Sequence, residues 1–256
     1  MGLGYIIGCM LSIILWKVNK RKFIETIDDK IRRFVRNITI AEILYVFIIS
    51  VILVLLSDYR NSELINAITA FIVIDISNTE RKNLNIKDRT HFYDSISTIS
   101  KALVGGFIAP LFYILFLGNG YGIAYMLLYN ICYVNSYRFL KFLFILLTII
   151  PSMLAQVLLY FVYLVRNRKL SIDFKGDYLI NCFTRPLLNI DILGAYIEAV
   201  NFYYYFHDND VHYVKSYGEY SNKIDSVCVK DYLSITYGIA MTYFIMFFIL
   251  LKHFYQ

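Results

Sequence analysis

The sequence predicts an all-α fold: a polytopic bundle of helices integral to a membrane, with about five to seven membrane segments. Three observations lead there. Hydrophobic residues make up 59% of the 256 and charged residues only 17%, against roughly 45–50% and about 25% in soluble domains. A domain of this size still needs a polar surface, so a larger soluble core cannot absorb that excess. The runs Ile38–Leu56, Phe142–Val165 and Tyr232–Leu251 each approach or exceed the ~20 residues that carry a helix through hydrocarbon. Basic residues cluster beside apolar segments, in Lys17, Lys20, Arg21, Lys22, Lys30, Arg32, Arg33 and Arg36. There they read as positive-inside anchors facing anionic lipid. The same placement argues against a nucleic-acid partner, although the net charge is +6.

In chain order, Leu3–Trp16 is a short apolar run closed by Lys17, read as an uncleaved first membrane helix whose lysine snorkels. Ile38–Leu56 is the cleanest span. Ile65–Ile76 is apolar but too short to cross unaided. Asn78–Lys101 is polar and belongs outside the hydrocarbon. Ala102–Leu117 and Tyr121–Val134 flank Gly118-Asn119-Gly120, whose turn chemistry predicts a helical hairpin. Phe142–Val165 contains Pro151, which a membrane helix tolerates where a neighbour satisfies the freed carbonyl. Arg166-Asn167-Arg168-Lys169 stops it. Pro186–Phe206 mixes Asn189, Asp191, Glu198 and Asn201 with apolar residues and predicts an amphipathic helix on the protein or at the interface rather than a lipid-facing span. Tyr232–Leu251 is the last span.

Residues 1–256 therefore form a single multi-pass membrane domain in the cytoplasmic (plasma) membrane, with the lipid bilayer as its first partner. Its connections are a basic loop, 17–37, and polar loops, 78–101 and 166–231. The charge rule places 17–37 and 166–231 on the cytoplasmic side and 57–101 outside.

Chemistry is sparse. Walker, GxSxG, HExxH and dinucleotide motifs are absent from the sequence. Cys9, Cys132, Cys182 and Cys228 form no CxxC pair, so neither a zinc site nor a disulfide framework follows. His207-Asp208-Asn209-Asp210-Val211-His212 is the densest polar cluster, and a solvated turn explains it better than a metal site. Glu42 and Asp75 lie near segment ends, where water is close. Asp191 and Glu198, seven residues apart, share one helix face, directed either to a cavity or to solvent. Interfacial belts account for the 24 tyrosines.

Several stretches, in order, resemble the CobD/CbiB family of adenosylcobinamide-phosphate synthases. Gly106-Phe107-Ile108-Ala109-Pro110-Leu111-Phe112-Tyr113 is similar to that family's DGxIAPLFY. Gly122-Ile123-Ala124-Tyr125 with Asn130 resembles GxAYKxxNT, Tyr137-Arg138 resembles GYR, and Ile150-Pro151-Ser152-Met153-Leu154 resembles IPARL. Lys215-Ser216-Tyr217-Gly218-Glu219 looks like the KPxIGD segment that precedes the last helix. The resemblance runs from about Asp94 to the C-terminus. It implies a membrane enzyme of cobalamin biosynthesis that joins adenosylcobyric acid to aminopropanol phosphate in an amide bond. Mg²⁺ and ATP would serve as cofactors, and a corrinoid or other membrane proteins as partners.

The departures bear on activity. Where the family has ESxAENTxDG, this chain has Ser97, Lys101, Ala102, Leu103 and Gly105. The aspartate of NTLDS falls on Cys132, the acidic pair before IPARL on Phe144 and Ile145, and its arginine on Met153. HxSPNxGxPEA survives as Arg185-Pro186, with Asp191 or Glu198 standing for its glutamate. The resemblance thus implies a degenerate or functionally altered member with no assigned catalytic residue and no metal ligand set. Its remaining substrate-binding candidates are Arg138, Asp191, Lys215 and Glu219. The alternative is a non-catalytic membrane sensor or accessory protein resembling the AmpE family, which shares the scaffold without the synthase chemistry.

Overall fold

A computed structural model describes residues 2–15, 20–35, 37–56, 62–74, 90–134, 137–208, 211–218 and 226–254. The regular structure of the described residues is helical apart from one two-stranded hairpin. It divides into two compact units, one of residues 1–78, 105–148 and 242–256, the other of residues 79–104 and 149–241.

The first unit begins with α1 (Leu3–Ile14), α2 (Lys20–Phe34), α3 (Ile38–Leu56) and α4 (Glu63–Val73). Helices α1 and α4 pack in parallel. At their starts, the Glu63 carboxylate accepts the backbone N–H groups of Gly2 (2.9 Å) and Gly4 (2.6 Å). At their ends, the Lys20 ammonium donates to Ser12 Oγ (2.8 Å), to the Ile74 carbonyl (2.7 Å) and to the Phe71 carbonyl. Anion at the N-terminal ends and cation at the C-terminal ends complement both helix dipoles. Gly4, Gly8 and Ser12, spaced by four, line one face of α1. A Cβ would stand 2.1 Å from the Glu63 carbonyl oxygen at Gly4 and 2.2 Å from that of Ala67 at Gly8. This is the close backbone approach that small-xxx-small spacing permits.

The basic loop carries helix α2, because Ile24, Asp28 and Ile31 recur at helical spacing on the face turned to the bundle. Asp28, 1% exposed, accepts the hydroxyls of Tyr45 (2.7 Å) and Tyr137 (2.8 Å). Arg32, one turn on, lies 3.6 Å from its second oxygen.

Helix α5 (Thr90–Leu103) runs through a π-helical stretch (Val104–Ile108) into α6 (Ala109–Leu117). The wider turn falls on Gly105, where a Cβ would meet the Tyr129 ring at 2.5 Å. Pro110 follows in the first turn of α6, where its missing N–H is tolerated. The expected hairpin is present: α6 ends on Gly118 at φ 105°, and α7 (Asn119–Val134) returns. Asn119 ties the turn to the starts of α1 and α4, accepting Tyr5 OH and donating to Asn66 Oδ1, both at 2.7 Å.

Helix α8 (Arg138–Asn167) stays helical through Pro151. A proline there leaves the carbonyl of Leu147 without its i→i−4 donor, and the Tyr113 hydroxyl donates to that oxygen at 2.7 Å.

The second unit is built around a short helix. After α9 (Tyr178–Thr184), α10 (Leu188–Ile197) is buried at every residue, followed by β1 (Asn201–Asp208), β2 (Val211–Gly218) and α11 (Ser226–Phe254). The amphipathic helix expected over Pro186–Phe206 is corrected on two counts. Its helical part is enclosed by protein, and it stops at Ile197. Ala199 adopts φ 52°, and the aromatic run Phe202–Phe206, with alternating burial, suits a pleated strand better than a helix turn. The strands pair antiparallel, with Phe202 opposite Tyr217, Tyr204 opposite Lys215 and Phe206 opposite Tyr213.

Among the described residues, four helical stretches are long and apolar enough to cross a membrane: Ile38–Leu56, Ser95–Leu117, Arg138–Asn167 and Val227–Phe254. The second starts seven residues before the apolar run read from sequence, inside the expected polar loop 78–101, because α5 and α6 form one continuous rod. Leu3–Ile14 and Glu63–Val73 are apolar but shorter.

Candidate functional site: a buried carboxyl pair

The polar residues of α10 gather in the second unit. Asp191, 3% exposed, lies among Ser97, Ser100 and Lys101 of α5. Burial pushes its carboxyl up to about 6; Lys101 and hydrogen bonds from Ser100 and Ser97 oppose that rise. One of its oxygens, Oδ1, is buried with no hydrogen-bond partner among the described residues. Tyr232 of α11 closes this side, its hydroxyl 3.1 Å from Ser100 Oγ. A Cβ at Gly194 would stand 2.7 Å from that hydroxyl, so glycine lets α10 approach the tyrosine. Burial raises the pKa of Tyr204, on β1, with Arg185 opposing and Asp191 adding to the rise; the phenol sits within the field of both.

Seven residues on, Glu198 ends α10. Its carboxylate lies 3.3 Å from Arg166, which also holds Asp231 at 2.7 Å. Burial raises Glu198 to about 7; Arg166 lowers it and Asp231 raises it further. The neighbouring Asn167 donates to the Tyr196 carbonyl at 2.9 Å and so caps the same helix end. The basic stop read from sequence thus serves as the clasp of α10. Of the two directions open to the Asp191–Glu198 face, the solvent-facing one is excluded, since both residues are 3% exposed.

A second group of polar residues lies between α9 and α10. Asn189 donates to the Tyr178 carbonyl (3.0 Å) and to Cys182 Sγ (3.2 Å). Asn181 is fully buried, and neither its Oδ1 nor its Nδ2 has a partner among the described residues. Lys215 pairs with Asp177, and its ammonium lies 5.5 Å from the Phe206 ring centroid. Arg185 stands over the same ring at 4.7 Å.

The four residues expected to bind substrate are not brought together. Arg138 belongs to the first unit, exposed at the start of α8 beside Phe139, whose N–H donates to Glu42 at 3.0 Å. Asp191 and Lys215 share the second unit but have different partners, Lys215 being engaged by Asp177. Glu219 lies outside the described residues, as do Asp75, Asn209, Asp210 and the side chains of His207, Asp208 and His212. Sequence reasoning missed Ser100, Tyr232, Asn181 and Arg166 as members of the site. The one usable signal was the seven-residue spacing of Asp191 and Glu198.

A Mg²⁺ site would need several oxygen donors converging. Among the described residues no three His, Cys, Asp or Glu side chains converge, and Glu198 and Asp231 are already held by Arg166. These residues do not fit a Mg–ATP centre. Comparison of the chain with protein-family profiles, curated proteins and solved structures returns no match. The arrangement supplies two enclosed carboxyls that burial raises to about 6 and about 7, with serine, tyrosine and asparagine groups able to hold a polar ligand.

Proposed function

We propose that the chain is a multi-pass membrane protein on a scaffold like that of the CobD/CbiB synthases, with a site altered from amide synthesis to non-catalytic binding of a polar small molecule of the corrinoid class. Membrane insertion is supported by α3, only 11% buried along its apolar window, with Ile43, Phe47 and Val54 all more than 60% exposed. A surface of that kind needs lipid. Its basic end, near Lys30 and Arg138, faces the cytoplasm by the charge rule. Parallel packing makes α1 and α4 cross, or fail to cross, together.

The scaffold reading is supported by Tyr113 and Pro151, which stand in the two stretches most like the family's and are joined through the Leu147 carbonyl. The observation that carries the function is Asp191. It sits in the segment aligned with the family's glutamate-bearing stretch and meets Ser97 and Lys101, which occupy the family's ESxAENTxDG positions. The positions of a polar site are together, while the acidic groups for activating a carboxylate are missing.

Two measurements test this. The chain should fail to restore growth on cobyric acid in cells lacking their synthase; rescue would overturn the loss of catalysis. Detergent-purified protein should retain cobinamide, read by visible absorbance through gel filtration, and Asp191→Asn should release it. No retention by the wild-type chain would remove the ligand assignment and leave the sensor reading.

A further inference from the structure

We infer that α2 is an in-plane helix that recognises an anionic bilayer surface, an inference that rests on the membrane reading above. The helix has three stripes. Ile24, Asp28, Ile31 and the following Val35 face the bundle, fixed by the bonds from Tyr45 and Tyr137 to Asp28. Beside them lies a second apolar stripe left open among the described residues: Phe23 is 70% exposed and Phe34 91%, with Ile27, at 37%, less exposed between them. At 3.6 residues per turn these three fall within about 40° of arc, roughly a ninth of the circumference. Continuing round the helix from that stripe come Lys30, then Thr26, Arg33 and Lys22, and only beyond them Asp29 and Glu25.

The order of charges decides the occupant. Basic side chains border the apolar stripe, at the height where phosphate groups lie when such a stripe sinks to the acyl boundary. The acidic side chains are turned further away. An acidic protein partner would also meet the lysines but would not call for an apolar stripe of three large side chains directly against them. The helix ends at Phe34 and α3 begins at Ile38, so the stripe adjoins the first long apolar helix. Lys20 and Asp28 hold both halves of α2 to the unit, which keeps the stripe's orientation fixed.

The test uses the full chain in nanodiscs of phosphatidylcholine with or without phosphatidylglycerol. Single cysteines, Ile27→Cys or Phe47→Cys in a background free of Cys9, Cys132, Cys182 and Cys228, carry a bimane dye. Spin-labelled lipids then report depth. The expected result is quenching at position 27 by headgroup and shallow acyl labels, and at position 47 by deep labels. Quenching at 47 with none at 27 overturns this proposal alone; quenching at neither overturns the membrane reading.

In parallel, native mass spectrometry of protein released from mixed nanodiscs reads the ratio of retained phosphatidylglycerol to phosphatidylcholine. Each basic residue at an anionic surface is worth about fivefold in binding. Lys22→Gln/Lys30→Gln/Arg33→Gln should therefore lower the ratio by roughly a hundredfold, and salt should lower it for the wild type. An unchanged ratio in a variant that elutes and melts like the wild type would overturn headgroup recognition. Preferential capture of an acidic peptide over phosphatidylglycerol would replace the bilayer by a protein partner.

Discussion

The hydroxyl of Tyr113 lies 2.7 Å from the carbonyl oxygen of Leu147, the oxygen that Pro151 leaves without a helical donor. A tyrosine of α6 thereby repairs a proline break in α8. Tyr113→Phe should destabilise the protein by about 1–2 kcal/mol, the usual effect of leaving a buried acceptor unmet. In a Pro151→Ala background, where residue 151 regains its N–H, the same change should cost close to nothing. Thermal melts of the four proteins in one detergent give the coupling; additive effects would show that the bond is incidental.

Asp191 and Glu198 should make stability depend on pH. Their carboxyls are raised from 3.8 to about 6 and from 4.5 to about 7. The folded state therefore holds protons that the unfolded chain has released. The favourable contribution is complete below pH 3.8 and is lost as pH rises through about 6 and about 7. The melting temperature should fall between pH 5 and pH 8. Asp191→Asn and Glu198→Gln should each flatten part of that slope, by an effect on the order of 1–2 kcal/mol. A melting temperature that rises across this window would contradict the assignment.

Arg166 should be needed chiefly because Glu198 is buried. Arg166→Leu removes the partner of an enclosed carboxylate and should destabilise by about 2 kcal/mol, less than for a fully buried pair because Arg166 is 37% exposed. Adding Glu198→Gln should recover much of the loss. Chemical denaturation of the single and double variants reads this directly.

Two glycines of similar sequence setting should respond oppositely. Gly8→Val places a Cβ about where the Ala67 carbonyl oxygen already is, and should cost on the order of 2–4 kcal/mol or prevent accumulation. Gly238→Ala, in the interior of α11 where an added Cβ would meet nothing within 4 Å, should stabilise by about 0.5–1 kcal/mol. Thermal melts would show the contrast as shifts of opposite sign.

The apolar length of α3 and the basic residues before it set a topology. In intact cells, cysteine at Lys30 should resist an impermeant thiol reagent, and cysteine at Ser62, at the opposite end of α3, should react. Equal labelling at both positions would mean that α3 does not cross.

The sequence alone determined the features that depend on a few consecutive residues. Ile38–Leu56 is apolar whatever surrounds it, Gly118 makes its turn through its own φ of 105°, and Phe142–Val165 is one long apolar run between basic ends. Pro151 announced that some neighbour must supply a hydrogen bond; only the tertiary structure named Tyr113. The same holds for the site. The spacing of Asp191 and Glu198 put them on one face, yet whether that face met water or protein depended on α5 and α11, far away in the chain. Local composition also predicted a helix through Phe206, where the chain instead turns at Ala199 and pairs β1 with β2. Propensity acts over a turn or two of chain, whereas burial, ion pairing and carboxyl acidity follow from which distant segments meet. Packing decided those, and with them the chemistry available to Asp191.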